Sequence, residues 1–219
     1  MHNSEQIMKI ISHRGNWKTP EEKNTKTAFV SSLNLGFGIE TDLRDFNGNL
    51  VIAHDIATET CMDLKHFFKI VNCFKKDEAL PLALNIKADG LQILISDLLH
   101  TFEIENYFLF DMSIPDMKAS IDCGLNVFLR LSEFEKDLPF YKEIEGIWLD
   151  AFYSTWYDSD MMMKHLKAGK KIAIVSAELH KRDHIMHWNE LLKMECIQSD
   201  SIILCTDFPE EAKLYFKHV

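Results

Sequence analysis

Short apolar runs alternate with amphipathic helical stretches along this chain, about eight times over. No other feature narrows the fold as much. A run of consecutive apolar residues suits a strand buried on both faces, the situation in a parallel sheet covered by helices. The pattern predicts strands at Met8–Ser12, Phe37–Leu43, Leu50–Ala53, Leu80–Ile86, Tyr107–Phe110, Leu125–Leu129, Gly146–Leu149, Lys171–Val175 and Ile202–Leu204. Helical periodicity falls at Asn24–Leu35, Asp63–Phe74, Gly90–Thr101, Pro115–Cys123, Asp158–Ala168, Arg182–Met194 and Pro209–Phe216, with a short helix near Glu133–Tyr141. Asn24 suits an N-cap and Gly36 a stop. Asn47-Gly48 marks a tight turn, so Leu50–Ala53 returns as a hairpin arm. No linker or low-complexity tract interrupts the series. The expectation is one α/β domain over residues 1–219, a compact (β/α)8 barrel of TIM type with a small β-hairpin after the second strand.

Polar residues stand where the apolar runs stop: His13, Glu40, Asp42, Asn85, Lys87, Asp111, Arg130, Asp150, Glu178 and Asp207. In a barrel those positions gather at one rim, where such folds carry their chemistry. Charge and composition remove other classes. A net charge of −10 argues against general nucleic-acid binding. No apolar stretch has the length of a membrane span and the N-terminal residues lack a signal-peptide pattern, so neither stable membrane insertion nor export is expected. Five cysteines without a CxxC pair read as reduced thiols in a cytoplasmic protein.

Side chains two apart on a strand share a face, so Glu40 pairs with Asp42 and Asn85 with Lys87. Oxygen donors of this kind suit Mg²⁺ or Ca²⁺. His13 and His54 each follow an apolar run, and imidazole is the side-chain group suited to act as a general acid or a general base near neutral pH. A phosphodiester anion about 5 Å from a carboxylate meets roughly 3 kcal/mol of repulsion at an effective dielectric near 20. Arg14 and Lys87 offset that only in part, and a divalent ion would reverse its sign.

These residues carry a family resemblance. The stretch from Ile11 to Asp55 resembles the glycerophosphodiester phosphodiesterases, through His13-Arg14-Gly15, Asn24-Thr25 with Ala28-Phe29, Gly38-Ile39-Glu40-Thr41-Asp42-Leu43, Asn47-Gly48 and Val51-Ile52-Ala53-His54-Asp55. Near the C-terminus Thr206-Asp207-Phe208-Pro209-Glu210 is similar to the family's closing motif. The resemblance implies a TIM-type barrel, a small phosphodiester substrate, His13 and His54 as the catalytic pair, Glu40 and Asp42 as metal ligands, and Arg14 and Lys87 as phosphate contacts. It also implies a reaction in which a neighbouring hydroxyl of the substrate attacks phosphorus and water then opens the cyclic phosphate. A lyase that stops at the cyclic phosphate and a non-catalytic phospho-ligand-binding barrel are the alternatives.

The chain departs from that pattern in four places. Asn85-Ile86-Lys87 stands where the family has Glu-x-Lys, so the third metal ligand is Asn85 or another rim acid such as Asp150. The segment between His54 and the helix near Asp63 is short, which leaves the site open to a bulky substrate. Pro20-Glu21-Glu22-Lys23-Asn24-Thr25 replaces a tighter Pro-Glu-Asn-Thr run, and Ile174-Val175-Ser176-Ala177-Glu178 replaces a Trp-Thr motif. Arg130, Asp150 and Glu178 are candidate substrate contacts. Asp207 reads as a helix N-cap before Pro209. His180, His184 and His187 read as a solvated helix face, His180 alone being able to reach the rim. Trp148, Trp156 and Tyr153 read as core or loop packing, and Met161-Met162-Met163 as partly core.

Overall fold

The computed structural model describes residues 8–74 and 80–217. Ten strands and seven α-helices lie along them: β1 (Lys9–His13), α1 (Lys26–Leu35), β2 (Gly38–Phe46), β3 (Asn49–Ile52), β4 (Met62–Asp63), α2 (Leu64–Asn72), β5 (Leu82–Ile86), α3 (Gln92–Thr101), β6 (Tyr107–Phe110), α4 (Ile114–Asp122), β7 (Phe128–Leu131), β8 (Gly146–Leu149), α5 (Ser159–Lys167), β9 (Lys171–Val175), α6 (His184–Leu191), β10 (Ile202–Thr206) and α7 (Pro209–Tyr215). Eight strands pair in parallel in the order β6-β5-β2-β1-β10-β9-β8-β7. The two ends of that series meet through a single parallel bridge, Leu109↔Val127. The chain is a (β/α)8 barrel of TIM type.

β3 and β4 stand outside the eight as the small hairpin. Asn47 (φ 49°) and Gly48 (φ 76°) both take left-handed backbone, the two-residue turn that matches strand twist. Pairing with β3 extends β2 to Phe46, beyond the expected end at Leu43. β7 lies later than Leu125–Leu129, which puts Arg130 inside the strand.

One expected helix is absent. Residues 132–145, between β7 and β8, form turns instead of a helix near Glu133–Tyr141. The physical reason is local competition. Ser132 Oγ accepts from the N–H groups of Phe134 and Glu135, and Pro139 has no N–H to give. The Glu133 carboxylate meanwhile takes the N–H groups of Phe152, Tyr153 and Ser154 in the loop after β8. Burial would raise its pKa, but these bonds hold it below the usual range.

The barrel is filled, not hollow. Phe108 stacks on Phe128 with ring centroids 3.8 Å apart, and Phe110 on Trp148 at 3.9 Å. Ala83, Ala173, Ile11, Val175, Ile203 and Cys205 complete this interior. Gly146 makes room for Phe128, since a Cβ there would lie 2.5 Å from the Phe128 ring. Outside the strands, α1–α4 pack through Phe29, Phe67 and Phe68, and α5–α7 through Met162, Trp188 and Phe216. Full burial of such a side chain contributes roughly 1.5–3 kcal/mol.

His187 belongs to this packing and not to a solvated face. It is buried, its Nδ1 accepts the Ala177 N–H at 3.2 Å, and its Nε2 lies 2.8 Å from the Tyr157 hydroxyl. That pattern requires the neutral ring protonated on Nε2. Burial, with Arg182 adding to it, lowers the pKa to about 4. An unfolded histidine titrates near 6.5, so the unfolded chain takes up the proton first as pH falls. The stabilisation from a neutral His187 is therefore complete above about pH 6.5 and is lost towards pH 4, by about 3 kcal/mol at most. Urea unfolding at pH 7 and pH 4.5 should show a larger loss for the natural protein than for His187→Gln. Equal losses would place the pH sensitivity elsewhere.

Candidate active site

The first and last strands supply the first pair of groups. Ser12 is opposite Thr206 in the β1–β10 register, so the residues that follow meet at the rim. There the Asp207 carboxylate lies 2.7 Å from His13 Nδ1. Nδ1–H donates to the carboxylate, which leaves Nε2 as the free nitrogen, 3.8 Å from Glu40 Oε2. Burial would raise Asp207, but its hydrogen bond to His13 and the charges of His13, Lys23 and Arg14 bring it below the usual carboxylate range. Asp207 is thus the orienting partner of His13. It does not cap α7, whose N-cap position is Phe208 with no side-chain bond.

Glu178 fixes Asp207 in turn. Its Oε1 accepts the Asp207 N–H at 3.0 Å and the Thr206 hydroxyl, and Oε2 accepts Ser176 Oγ at 2.5 Å. Glu178, a candidate substrate contact, thus has both oxygens engaged by the β9 and β10 ends.

After His13 the chain turns sharply. Arg14 (φ 58°) and Gly15 (φ 87°) are both left-handed, and a Cβ on Gly15 would lie 2.7 Å from Ala28 Cβ. The turn aims the Arg14 N–H at Glu40, on its carbonyl at 2.9 Å and on Oε2 at 3.2 Å. Glu40 and Asp42 are both buried on β2. Burial first, and then the neighbouring Asp42, push Glu40 up to about 7, against the pull of His13, Arg14 and Lys87. Asp42 Oδ2 accepts Asn24 Nδ2 at 2.8 Å and pairs with Arg14 Nε at 2.9 Å without hydrogen-bond geometry, while Lys87 Nζ lies 3.4 Å from Oδ1, which has no hydrogen-bond donor. Asn24, also left-handed (φ 60°), accepts Thr41 Oγ1 at 2.8 Å. The N-cap of α1 is Thr25, one residue later than expected.

Asn85 is opposite Asp42 in the β2–β5 register. Its side chain hydrogen-bonds Asp111, and its Oδ1 is buried with no hydrogen-bond donor. Asp111 is raised by burial despite Arg130 and Lys87, the former at 2.8 Å and the latter at 4.0 Å. Arg130 is held on its other side by Glu135, so its guanidinium is shared between two carboxylates. Asp150 Oδ1 lies 2.5 Å from His180 Nε2 and accepts the Ala151 N–H. Among the described residues no hydrogen bond or ion pair joins Asp150 to Glu40, Asp42 or Asn85.

His54 follows β3. The Ala53 N–H donates to the Asp42 carbonyl at 3.1 Å, which anchors the hairpin beside β2. His54 is about half exposed, with Nδ1 2.9 Å from Asp55 Oδ1. That bond lowers Asp55. A cavity of about 530 Å³ lies between the hairpin and the β1–α1 loop, with Arg14, Lys23, Asn24 and His54 among its walls. Arg14 thus links the two histidines' surroundings. Its backbone is on Glu40 beside His13, its Nε is on Asp42, and it shares the cavity with His54.

Sequence reading missed Asp207, Asn24 and the Asp150–His180 pair as site-building groups. The signal for Asp207 was available, because closing a barrel places the last strand's end beside the first. His184 also leaves the solvated face assigned to it, its ring lying 4.7 Å from those of Trp188 and Phe208.

Neither the protein-family models nor the curated proteins give a sequence match. Solved structures do match in fold. A glycerophosphodiester phosphodiesterase from Parabacteroides distasonis superposes with a TM-score of 0.69 at 16% identity, over 97% of this chain and 98% of that one. A phosphodiesterase from Oleispira antarctica, solved with the product sn-glycerol-3-phosphate, gives 0.68 at 13% identity, over 95% and 96%. The chain shares the fold of the glycerophosphodiester phosphodiesterases. The tryptophan synthase α-subunit of Pyrococcus furiosus also matches, with a TM-score of 0.57 at 12% identity over 97% and 95%, so the barrel is common to different chemistries. Among the described residues no helix is long and apolar enough to cross a membrane.

Gly15→Ala should destabilise the protein by about 1–3 kcal/mol, the range for enforced left-handed strain, with the clash on Ala28 adding to it. Thermal melting would register this as a lower midpoint. An unchanged midpoint would mean that the turn after His13 has room to relax.

Proposed function

We propose that the protein hydrolyses a phosphodiester, of the glycerophosphodiester type or a related alcohol phosphodiester. The observation that carries this reading is the His13–Asp207 pair beside Glu40, at the same barrel end as Arg14 and Lys87. An oriented imidazole next to two cations is what an anionic substrate and a proton transfer require. The likeness in fold to phosphodiesterase structures supports the same reading.

Arg14 and Lys87 hold the phosphate oxygens in this proposal. One imidazole of the pair His13 and His54 removes the proton from a substrate hydroxyl next to the phosphodiester. That oxygen attacks phosphorus, and the P–O bond to the alcohol breaks as the other imidazole protonates the departing oxygen. Water then opens the cyclic phosphate, with the proton transfers reversed. Asp207 keeps His13 in the tautomer with Nε2 free. Arg130 and the Asp150–His180 pair form the opposite side of the mouth, where they border the alcohol.

A divalent cation fits the donor set on β2 and β5. Glu40 and Asp42 offer hard carboxylate oxygens, and the buried Asn85 Oδ1 lacks a donor. Among the described residues no three His, Cys, Asp or Glu side chains group to hold a metal ion; in this proposal the Asn85 amide oxygen joins the two carboxylates. Asp150, committed to His180, is not a ligand in this proposal. Mg²⁺ or Ca²⁺ bound there would supply positive charge to the phosphate and acidify a hydroxyl.

Purified protein should cleave at least one member of a phosphodiester panel. His13→Ala and His54→Ala should each stay folded and lose at least about 100-fold in kcat/KM, the low end for acid–base groups. Phosphorus NMR identifies whether the product is a monoester or a cyclic phosphate. Full activity in either variant would remove that histidine from the chemistry, and no turnover across the panel would refute the hydrolase reading.

A further inference from the structure

The cations at the mouth do two things at once. In the proposed reaction Arg14 and Lys87 hold the phosphate, and in the free protein they pair with Asp42. Arg14 Nε is 2.9 Å from Oδ2 and Lys87 Nζ is 3.4 Å from Oδ1. Asn24 takes Oδ2 as well. Glu40 Oε2 is engaged by the Arg14 N–H and faces His13. Glu40 and Asp42 stand against Arg14 and Lys87, and Arg130 is shared between Asp111 and Glu135. Asn85 adds an oxygen but no charge. That oxygen is buried and undonated beside Asp42 across the strand register, and Asp42 Oδ1, 3.4 Å from Lys87 Nζ, likewise has no hydrogen-bond donor.

A divalent cation arriving alone at this cluster meets two protein cations already seated on the carboxylate it needs. A phosphate group arriving with it changes the balance. The anion attracts Arg14 and Lys87, frees Asp42 oxygens and cancels part of the added charge. We propose that the phosphodiester anion and the divalent cation bind as a coupled pair, because Lys87 and Arg14 fill the cation's place in the free protein until a phosphate group draws them away. This inference rests on the cation site of the phosphodiesterase reading. Coupling of this kind is reciprocal, so the cation tightens the anion by the same factor.

The test is a titration of the full chain with Mn²⁺, followed through the electron paramagnetic resonance of free Mn²⁺, with and without dimethyl phosphate. That diester has no neighbouring hydroxyl, so it is held without turnover. The anion should tighten Mn²⁺ binding at least about tenfold, within the usual range for coupled sites. Lys87→Gln should bind Mn²⁺ without the anion about tenfold more tightly than the natural protein, and respond less to dimethyl phosphate. Asn85→Asp, which adds a charge at the undonated oxygen, should likewise tighten anion-free binding. The proposal is overturned by equal Mn²⁺ affinity with and without the anion in the natural protein, by no gain in Lys87→Gln, or by no Mn²⁺ binding in any arm. The measurement does not depend on catalysis. A protein that cleaves diesters but binds Mn²⁺ regardless of the anion refutes the coupling alone. One that shows the coupling without cleaving any diester refutes only the hydrolase reading.

Discussion

Asp42 has no exposed surface, and the mouth of the barrel is built around its two carboxylate oxygens. A buried charge left without partners costs several kcal/mol, so the surrounding chain has to supply them. The partners come from separate segments: Arg14 and Asn24 from the β1–α1 connection and Lys87 from the end of β5. Two of the three sit in left-handed backbone, which non-glycine residues adopt only when their surroundings hold them there. The loop conformation and the ion pairs therefore support each other. Glu40, two residues away on the same strand face, is pushed up to about 7 by burial and the nearby Asp42.

The filled interior explains why all of this happens at the rim. Two aromatic stacks occupy the barrel, one between Phe108 and Phe128 and one between Phe110 and Trp148. Alanines at 83 and 173 and the glycine at 146 leave them that space. The axis is packed with side chains, so polar side chains at the ends of the apolar runs line the rim. The wide cavity lies to one side, between the hairpin and the first loop, and this off-axis placement brings His54 into the same neighbourhood as Arg14.

Most of this architecture was legible in the sequence because it depends on periodicity. Tyr107–Phe110, Gly146–Leu149 and Lys171–Val175 form the strands that the apolar pattern outlines, and the hairpin follows from Asn47-Gly48. The helix expected near Glu133–Tyr141 failed where side chains compete with the backbone, as Ser132 and Glu133 do. Position was legible as far as strand ends could show it: His13, Glu40, Asp42, Asn85 and Lys87 lie on or just after β1, β2 and β5. The partners of those residues were not legible. Asp207, Glu178 and Asn24 looked like caps or contacts because each stands beside a helix start or a strand end, and only the closed order of strands shows what they touch. His187 was misread because helical spacing says which residues share a face, not which way that face points.

The pairing of β1 with β10 has a consequence for how the protein is made. His13 is oriented by a carboxylate 194 residues later in the sequence, through a strand joined to β1 over Lys9–Ser12. A ribosome must therefore release the 194 residues from His13 to Asp207 before His13 acquires its fixed tautomer, so synthesis products that stop short of Asp207 carry the histidine without its orientation. Cleavage within an intervening loop is a different injury, because both outer segments can remain zipped together along that join.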